Sequence, residues 1–312
     1  MPIIPTPTLI AEGNERAIAR AISWVENQHP QSMELLEQLE GNCPIVGVTG
    51  PPGAGKSSLV NALVLHWSSK GLKTAIVAVD PSSPFNLGSL LGDRLRMPGL
   101  FLDPKVFIRS LSARGSLGGL SASIIEVCDI LKHAKFDRII IETVGVGQSE
   151  IEIAGIADTT LVVTVPESGD EVQTMKSGVM EIADIFVINK ADRKGAEETR
   201  RDLEQMLDLS DIGHDDWRPP ILQTSAVSGE GVSELWNTVL AHREFIMASG
   251  KLTQRRSFRL REELRAIVER RLELRAREIC SGEKWDGLEQ QVLNHTVDPW
   301  AAADDMLKGI GA

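Results

Sequence analysis

An apolar run, Ile45–Thr49, leads directly into Gly50-Pro-Pro-Gly-Ala-Gly-Lys56-Ser57. A helical pattern follows, with Leu59 and Leu63 on one face, and stops near Gly71. Strand, Gly-rich loop and helix in this order constrain the fold more than any other feature of the chain. In the spacing G-x-x-x-x-G-K-S/T, the glycines let backbone N–H groups converge on phosphate oxygens, and the helix N-terminus adds a favourable dipole. The expected phosphate cradle is Gly50, Pro52, Gly53, Ala54, Gly55, Lys56, Ser57 and Ser58. Lys56 would reach the β- and γ-phosphates and Ser57 would ligate Mg2+. A chance Gly-rich turn would not bring both flanking elements with it.

The rest of the chain extends this unit into an α/β fold. Further strands are expected at Ala75–Asp80, Val106–Ser110, Arg138–Glu142, Thr160–Val165, Ile185–Asn189 and Ile221–Thr224. Helical stretches separate most of them, including about 170–184 and 231–249. Strands that are apolar almost throughout predict a mostly parallel central sheet covered by helices on both faces: a P-loop NTPase. Ahead of it, residues 12–28 read as an amphipathic helix and 32–40 as a shorter one. After Gly250 the composition becomes charge-rich, with Leu260, Leu264, Val268 and Leu272 four apart on one long helix, and a short helix is expected near 299–308. The expected organisation is an N-terminal helical extension (1–40), a nucleotide domain (41–250) and a C-terminal helical arm (251–312). By periodicity alone the arm's stripe fits equally a helix folded back on its own domain and a dimerisation surface.

The base is specified by Asn189-Lys190-Ala191-Asp192, placed directly after an apolar strand. The Asp192 carboxylate can accept from guanine N1–H and the 2-amino group together. Adenine offers neither donor, so it would leave a desolvated carboxylate unpaired. Asn189 would read the other edge and the Lys190 stem would cover the base. Ser225, Ala226 and Val227, after the next strand, match a loop that closes over guanine O6 through backbone N–H groups. Glu142-Thr-Val-Gly145 stands where GTP-binding folds carry D-x-x-G: Glu142 would hold the metal, directly or through water, and the Gly145 N–H would meet the γ-phosphate. Asp80 ends another apolar strand and Asp93 lies on the loop after it. Each alone reads as a cap, and together they are candidates for positioning metal or water. The expected chemistry is in-line attack of water on the γ-phosphate, with Lys56, Asp80, Asp93 and Glu142 as the catalytic set.

Composition excludes several classes. A formal charge of −11 disfavours nucleic acid and anionic membranes as partners. The longest apolar runs are of strand length, too short for a membrane span. The N-terminus lacks a cationic start followed by an apolar run. Three cysteines, Cys43, Cys128 and Cys280, are scattered without metal-ligand spacing, as in a reduced cytoplasmic protein.

The segments VDPSSPFNLGSLLGDRLRM, ETVGVGQSE, GDEVQTMKSGVMEIADIFVINKAD and NERAIARAISWVEN resemble the MeaB/ArgK-type GTPases, the methylmalonyl-CoA mutase-associated G proteins. The resemblance covers nearly the whole chain. It implies a homodimeric GTPase that serves as chaperone to an adenosylcobalamin-dependent acyl-CoA mutase, gating cofactor delivery and protecting the enzyme. It also implies that Asp80, Asp93 and Glu142 surround the metal and the attacking water. The loop from Pro166 to Lys176 would be the family's extra switch, and the C-terminal helices its dimerisation arm. Tightly bound cobalamin is not expected, because the D-x-H-x-x-G pattern is absent and Asp211-Ile-Gly-His214 has the wrong spacing. Rival readings are a nickel-insertion GTPase for hydrogenase or urease maturation, which would need Cys or His clusters, and a kinase acting on a periplasmic transport protein, which would favour ATP. A non-hydrolysing binder fits poorly with an intact Lys56, Ser57 and Glu142.

Overall fold

The computed structural model describes residues 3–80, 97, 99–100, 102–112, 119–143, 149–166, 181–209, 213 and 216–308. The chain divides into two compact units, Met1–Leu260 and Arg261–Ala312.

The first unit is built on seven strands: β1 (Ile45–Thr49), β2 (Thr74–Asp80), β3 (Val106–Ser112), β4 (Arg138–Thr143), β5 (Thr159–Thr164), β6 (Ile185–Asn189) and β7 (Ile221–Thr224). They form one sheet in the order β3-β2-β4-β1-β5-β6-β7, and every pairing is parallel. β1, β5 and β6 are buried along their whole length, which is why their sequences are continuous apolar or threonine runs rather than alternating ones.

Eleven helices occur among the described residues. Three precede the sheet: α1 (Pro7–Ala11), α2 (Glu15–Glu26) and α3 (Gln31–Leu36). The Asn14 side chain caps α2 by accepting the Ala17 N–H at 3.1 Å. Ile18, Ile22 and Val25 then recur on one buried face. α4 (Lys56–Ser69) follows β1, α5 (Gly119–His133) leads into β4, and α6 (Ser149–Ile156) into β5. α7 (Ala196–Asp208) lies between β6 and β7, and α8 (Val232–Ala248) follows β7. The expected helix at 170–184 falls outside the described residues except at 181–184, which are not helical.

Side chains on the two sheet faces alternate with period two, and the core divides accordingly. Ile45, Ile139 and Ile141 pack with α2, α5 and α6 through Ile18, Ile22, Cys128 and Ile153. Val46, Val48 and Ile140 face α4 and α8 through Leu59, Leu63, Trp67 and Trp236. The N-terminal helices are thus part of this unit's core. β1 approaches α6 so closely that a Cβ on Gly47 would lie 2.6 Å from the Ile153 side chain. Trp67 and Trp236 meet edge to face, 5.1 Å between centroids.

α9 (Lys251–Ile279) begins in the first unit and runs on into the second, where α10 (Glu283–Leu293) and α11 (Pro299–Leu307) follow. Asp298 caps α11 by accepting from the Trp300 and Ala301 N–H groups. None of the described helices is long and apolar enough to cross a membrane.

Candidate nucleotide site

In an all-parallel sheet every strand delivers its C-terminal end to one edge, where α/β proteins place ligands. The loop after β1 is Gly50–Gly55, and α4 starts at Lys56. Gly50 has φ +136°, and a Cβ there would lie 2.0 Å from the Val163 carbonyl oxygen of β5, so only glycine lets the loop leave the sheet at this point. Gly55 has φ +81°, and its Cβ would meet the Asn189 amide nitrogen at 2.5 Å.

Lys56 is buried and donates from Nζ to the Gly50 and Pro51 carbonyls at 2.7 and 2.9 Å. Its ammonium therefore lies along the loop it would serve. Ser57 Oγ donates to Glu142 Oε1 at 2.5 Å. Glu142, on β4 directly beside β1, is buried. A hydroxyl and a carboxylate in contact at the mouth of a phosphate loop are hard oxygen donors of the kind Mg2+ takes, so these residues fit that ion.

β6 and β7 carry the residues expected to meet the base. Asn189 ends β6 and spends both ends of its amide on protein. Nδ2 donates to the Ala54 and Gly55 carbonyls at 2.9 and 3.3 Å, and Oδ1 accepts from Thr224 Oγ1 and the Ala226 N–H at 3.3 and 3.2 Å. It braces three segments together; the motif alone suggested a reader of the base. Lys190, at φ +57°, donates from Nζ to the Gly53 carbonyl at 2.7 Å, laying its stem across the site. Asp192 is exposed on the turn that follows, where its carboxylate can meet a ligand. Ser225 is buried, Ala226 half-buried and Val227 97% exposed, so the loop turns its apolar tip outward.

The structure thus gathers Gly50, Gly53, Ala54, Gly55, Lys56, Ser57, Glu142, Asn189, Lys190 and Ala226 through direct contacts. Pro52 and Ser58 are exposed on the same loop and first helical turn. Asp80 ends β2 at the same edge, in register with Ser112, but its side chain lies outside the described residues. So do Asp93, Gly145 and the loop 167–176 after Pro166.

At the opposite edge the structure holds a cluster that the sequence reading did not name. Asp158 and Asp184 stand immediately before β5 and β6. Asp158 accepts the Ile45 N–H at 3.1 Å and Asp184 the Thr160 N–H at 2.8 Å. Three arginines from the first turns of α9 cover them. Arg255 binds Asp184 in bidentate fashion at 2.8 and 2.7 Å, and Arg256 and Arg259 bind Asp158 at 3.2 and 2.8 Å. Burial alone would raise the Asp184 carboxyl, but Arg255 and the adjoining His242 outweigh it and hold the carboxyl below its ordinary value. The repeated Ala-Asp before an apolar strand, at 157–158 and 183–184, was the available signal.

Cys43 and Cys128 are buried, and burial pushes both thiols up to about 12, so neither is a ready nucleophile.

The family model for the methylmalonyl-CoA mutase-associated GTPase MeaB matches residues 18–280. The chain belongs to the MeaB family of GTPases. It is 45% identical to a Pyrococcus abyssi protein classed by name among the GTPases, over 96% of this chain and 94% of that one. It is 34% identical to the mitochondrial methylmalonic aciduria type A homolog of Mus musculus, over 96% of this chain and 78% of that protein. In three dimensions it resembles the crystal structure of an LAO/AO transport system kinase, with a TM-score of 0.69 and 29% identity, covering 97% of this chain and 96% of that one. The family match spans both the phosphate loop and Asn189–Asp192, so the contacts described above lie within the part of the chain that defines the family.

Proposed function

We propose that this chain is a GTP-hydrolysing chaperone that gates cofactor delivery to, and protection of, an adenosylcobalamin-dependent acyl-CoA mutase, with methylmalonyl-CoA mutase as the first candidate. The observation that carries the reading is the match to the mutase-associated family across residues 18–280. The relationship to the mouse methylmalonic aciduria protein supports it. We place the protein in the cytoplasm, as a homodimer joined through its C-terminal helices, without tightly bound cobalamin and without nucleic-acid or membrane partners.

The chemistry we assign is attack of water on the γ-phosphate. Incoming phosphate oxygens draw Lys56 from the Gly50 and Pro51 carbonyls, because a charged acceptor binds an ammonium more strongly than a neutral one. Ser57 and Glu142 would hold Mg2+, which neutralises charge on the β- and γ-oxygens when bound. Backbone N–H groups of the loop stabilise the developing negative charge. Asp192 selects guanine, and Asn189 keeps the base-side and phosphate-side loops in register. Asp80 is our assignment for the residue that orients the water, with Asp93 beside the metal. Turnover is slow in isolation and accelerated by the mutase.

Purified protein mixed with GTP, with and without candidate mutases, tests this directly. Faster phosphate release with a mutase supports the reading. Rapid hydrolysis that no mutase alters overturns the chaperone assignment. Lys56→Ala is expected to abolish nucleotide binding or turnover, and unchanged hydrolysis in that variant overturns the site. Competition between ATP and GTP separates it from an ATP-using kinase.

A further inference from the structure

Glu142 reaches Ser57 on the α4 face of the sheet. Its neighbour Thr143 points, by strand alternation, to the face covered by α6. On that face β4 reads Ile139, Ile141, Thr143, while β1 reads Ile45, Gly47, Thr49. Each stripe is apolar or glycine until its last residue, where it ends in a threonine that is 0% exposed. The two hydroxyls meet: Thr143 Oγ1 donates to Thr49 Oγ1 at 3.1 Å. Valine would fill either position with the same shape and would bury no polar atom, so two hydroxyls here need a reason.

Their place supplies one. The paired register of β1 and β4 runs to Val48 and Glu142. Just beyond it, β1 ends at Thr49 and the phosphate loop begins at Gly50, while Thr143 is the last described residue of β4. The Thr143–Thr49 bond therefore ties the two strands where the ladder stops, directly behind the carboxylate on one strand and the phosphate loop on the other. Glu142 pairs with Val48 of β1 and Ala78 of β2, and Thr143 with Val79 of β2. The hydroxyl bond adds a side-chain tie to β1 at the rung past Val48 and Glu142, and its loss would let the Glu142 carboxylate settle farther from Ser57, which α4 fixes.

We propose that Thr143, through its hydroxyl bond to Thr49, is a positioning residue that holds Glu142 in reach of Ser57. The assignment rests on the reading of this site as a magnesium-dependent GTPase centre. It concerns strand ends and not the reacting atoms, so neither threonine is expected to touch nucleotide.

The test is the magnesium dependence of fluorescent GDP release, measured on the full chain for wild type, Thr143→Val and Thr143→Ser, with melting temperature recorded alongside. Thr143→Val is expected to raise the half-saturating magnesium concentration by about threefold to tenfold, the reach of one hydrogen bond. Thr143→Ser, which keeps the donor, is expected to return it to within about twofold of wild type. Thr49→Val breaks the same bond from the other strand and should match Thr143→Val. The double variant should be no worse than either single one, because both remove one interaction. Thr49→Val alone serves if Thr143→Val does not fold. Wild-type magnesium half-saturation in a folded Val variant overturns the proposal, whatever its melting temperature. Wild-type GDP release that ignores magnesium overturns the underlying reading instead, and no variant is needed to see it.

Discussion

We assign base choice to Asp192, which is exposed and whose carboxylate would offer an acceptor pair to guanine N1–H and its amino group. Asp192→Asn replaces one acceptor by a donor, so it should weaken GTP by at least tenfold, the cost of mispairing a charged group. The same change should improve binding of xanthosine triphosphate, whose 2-oxo group accepts where guanine donates. Competition against fluorescent GDP checks both directions. Asn189 shows the limit of reading residues from a motif. The motif makes it a reader of the base, whereas in the structure its amide is used on Ala54, Gly55, Thr224 and Ala226. A motif specifies which residue types converge; which partner each one takes depends on loops distant in sequence.

At the scale of elements, the strands were legible to within two residues at each end. Ile45–Thr49, Ile185–Asn189 and Ile221–Thr224 match their expected bounds, because apolar strands bounded by turn residues carry both period and punctuation. α6 was less legible. It is short and packs against β1, β4, β5 and α5, so apolar residues are not confined to one stripe. The ionic root of α9 was not anticipated, because Asp158 and Asp184 are far in sequence from Arg255, Arg256 and Arg259. Asp158 has two arginine partners, so Arg259→Ala leaves it the half-buried Arg256. The variant should cost about 1–3 kcal/mol, the loss of one hydrogen bond to a charged group, measured by urea denaturation. Arg259 is itself buried, so solvent gives its loss little relief. Acid should act on the same root. Asp184 has a carboxyl held below its ordinary value, so its contribution is present at neutral pH. That contribution fades as pH falls below the unfolded aspartate value of about 3.9 and through the folded one. A melting-temperature series from neutral pH to about pH 3 should show this loss, and Arg255→Gln should flatten the slope.

For the whole molecule, the open question of periodicity alone was what the C-terminal stripe packs against. Leu260, Leu264 and Leu272 are each more than 60% exposed, and Val268 is nearly half exposed. An apolar stripe of this length left in water favours association, which supports our dimer proposal. Leu264→Glu with Leu272→Glu should shift the protein from dimer to monomer in sedimentation while leaving GTP binding in place. A wild-type monomer at micromolar concentration would remove the arm's assigned role.

The arginine root of α9 also decides where this protein can be cut. A fragment ending at Gly250, the break suggested by composition, discards every arginine that neutralises Asp158 and Asp184. It would strip the arginines from the two carboxylates that hold the backbone starts of β1 and β5. A fragment carried through Leu260 keeps all three. For anyone wishing to crystallise or label the nucleotide-binding part alone, the first ten residues of α9, which composition assigns to the arm, are the ones to keep.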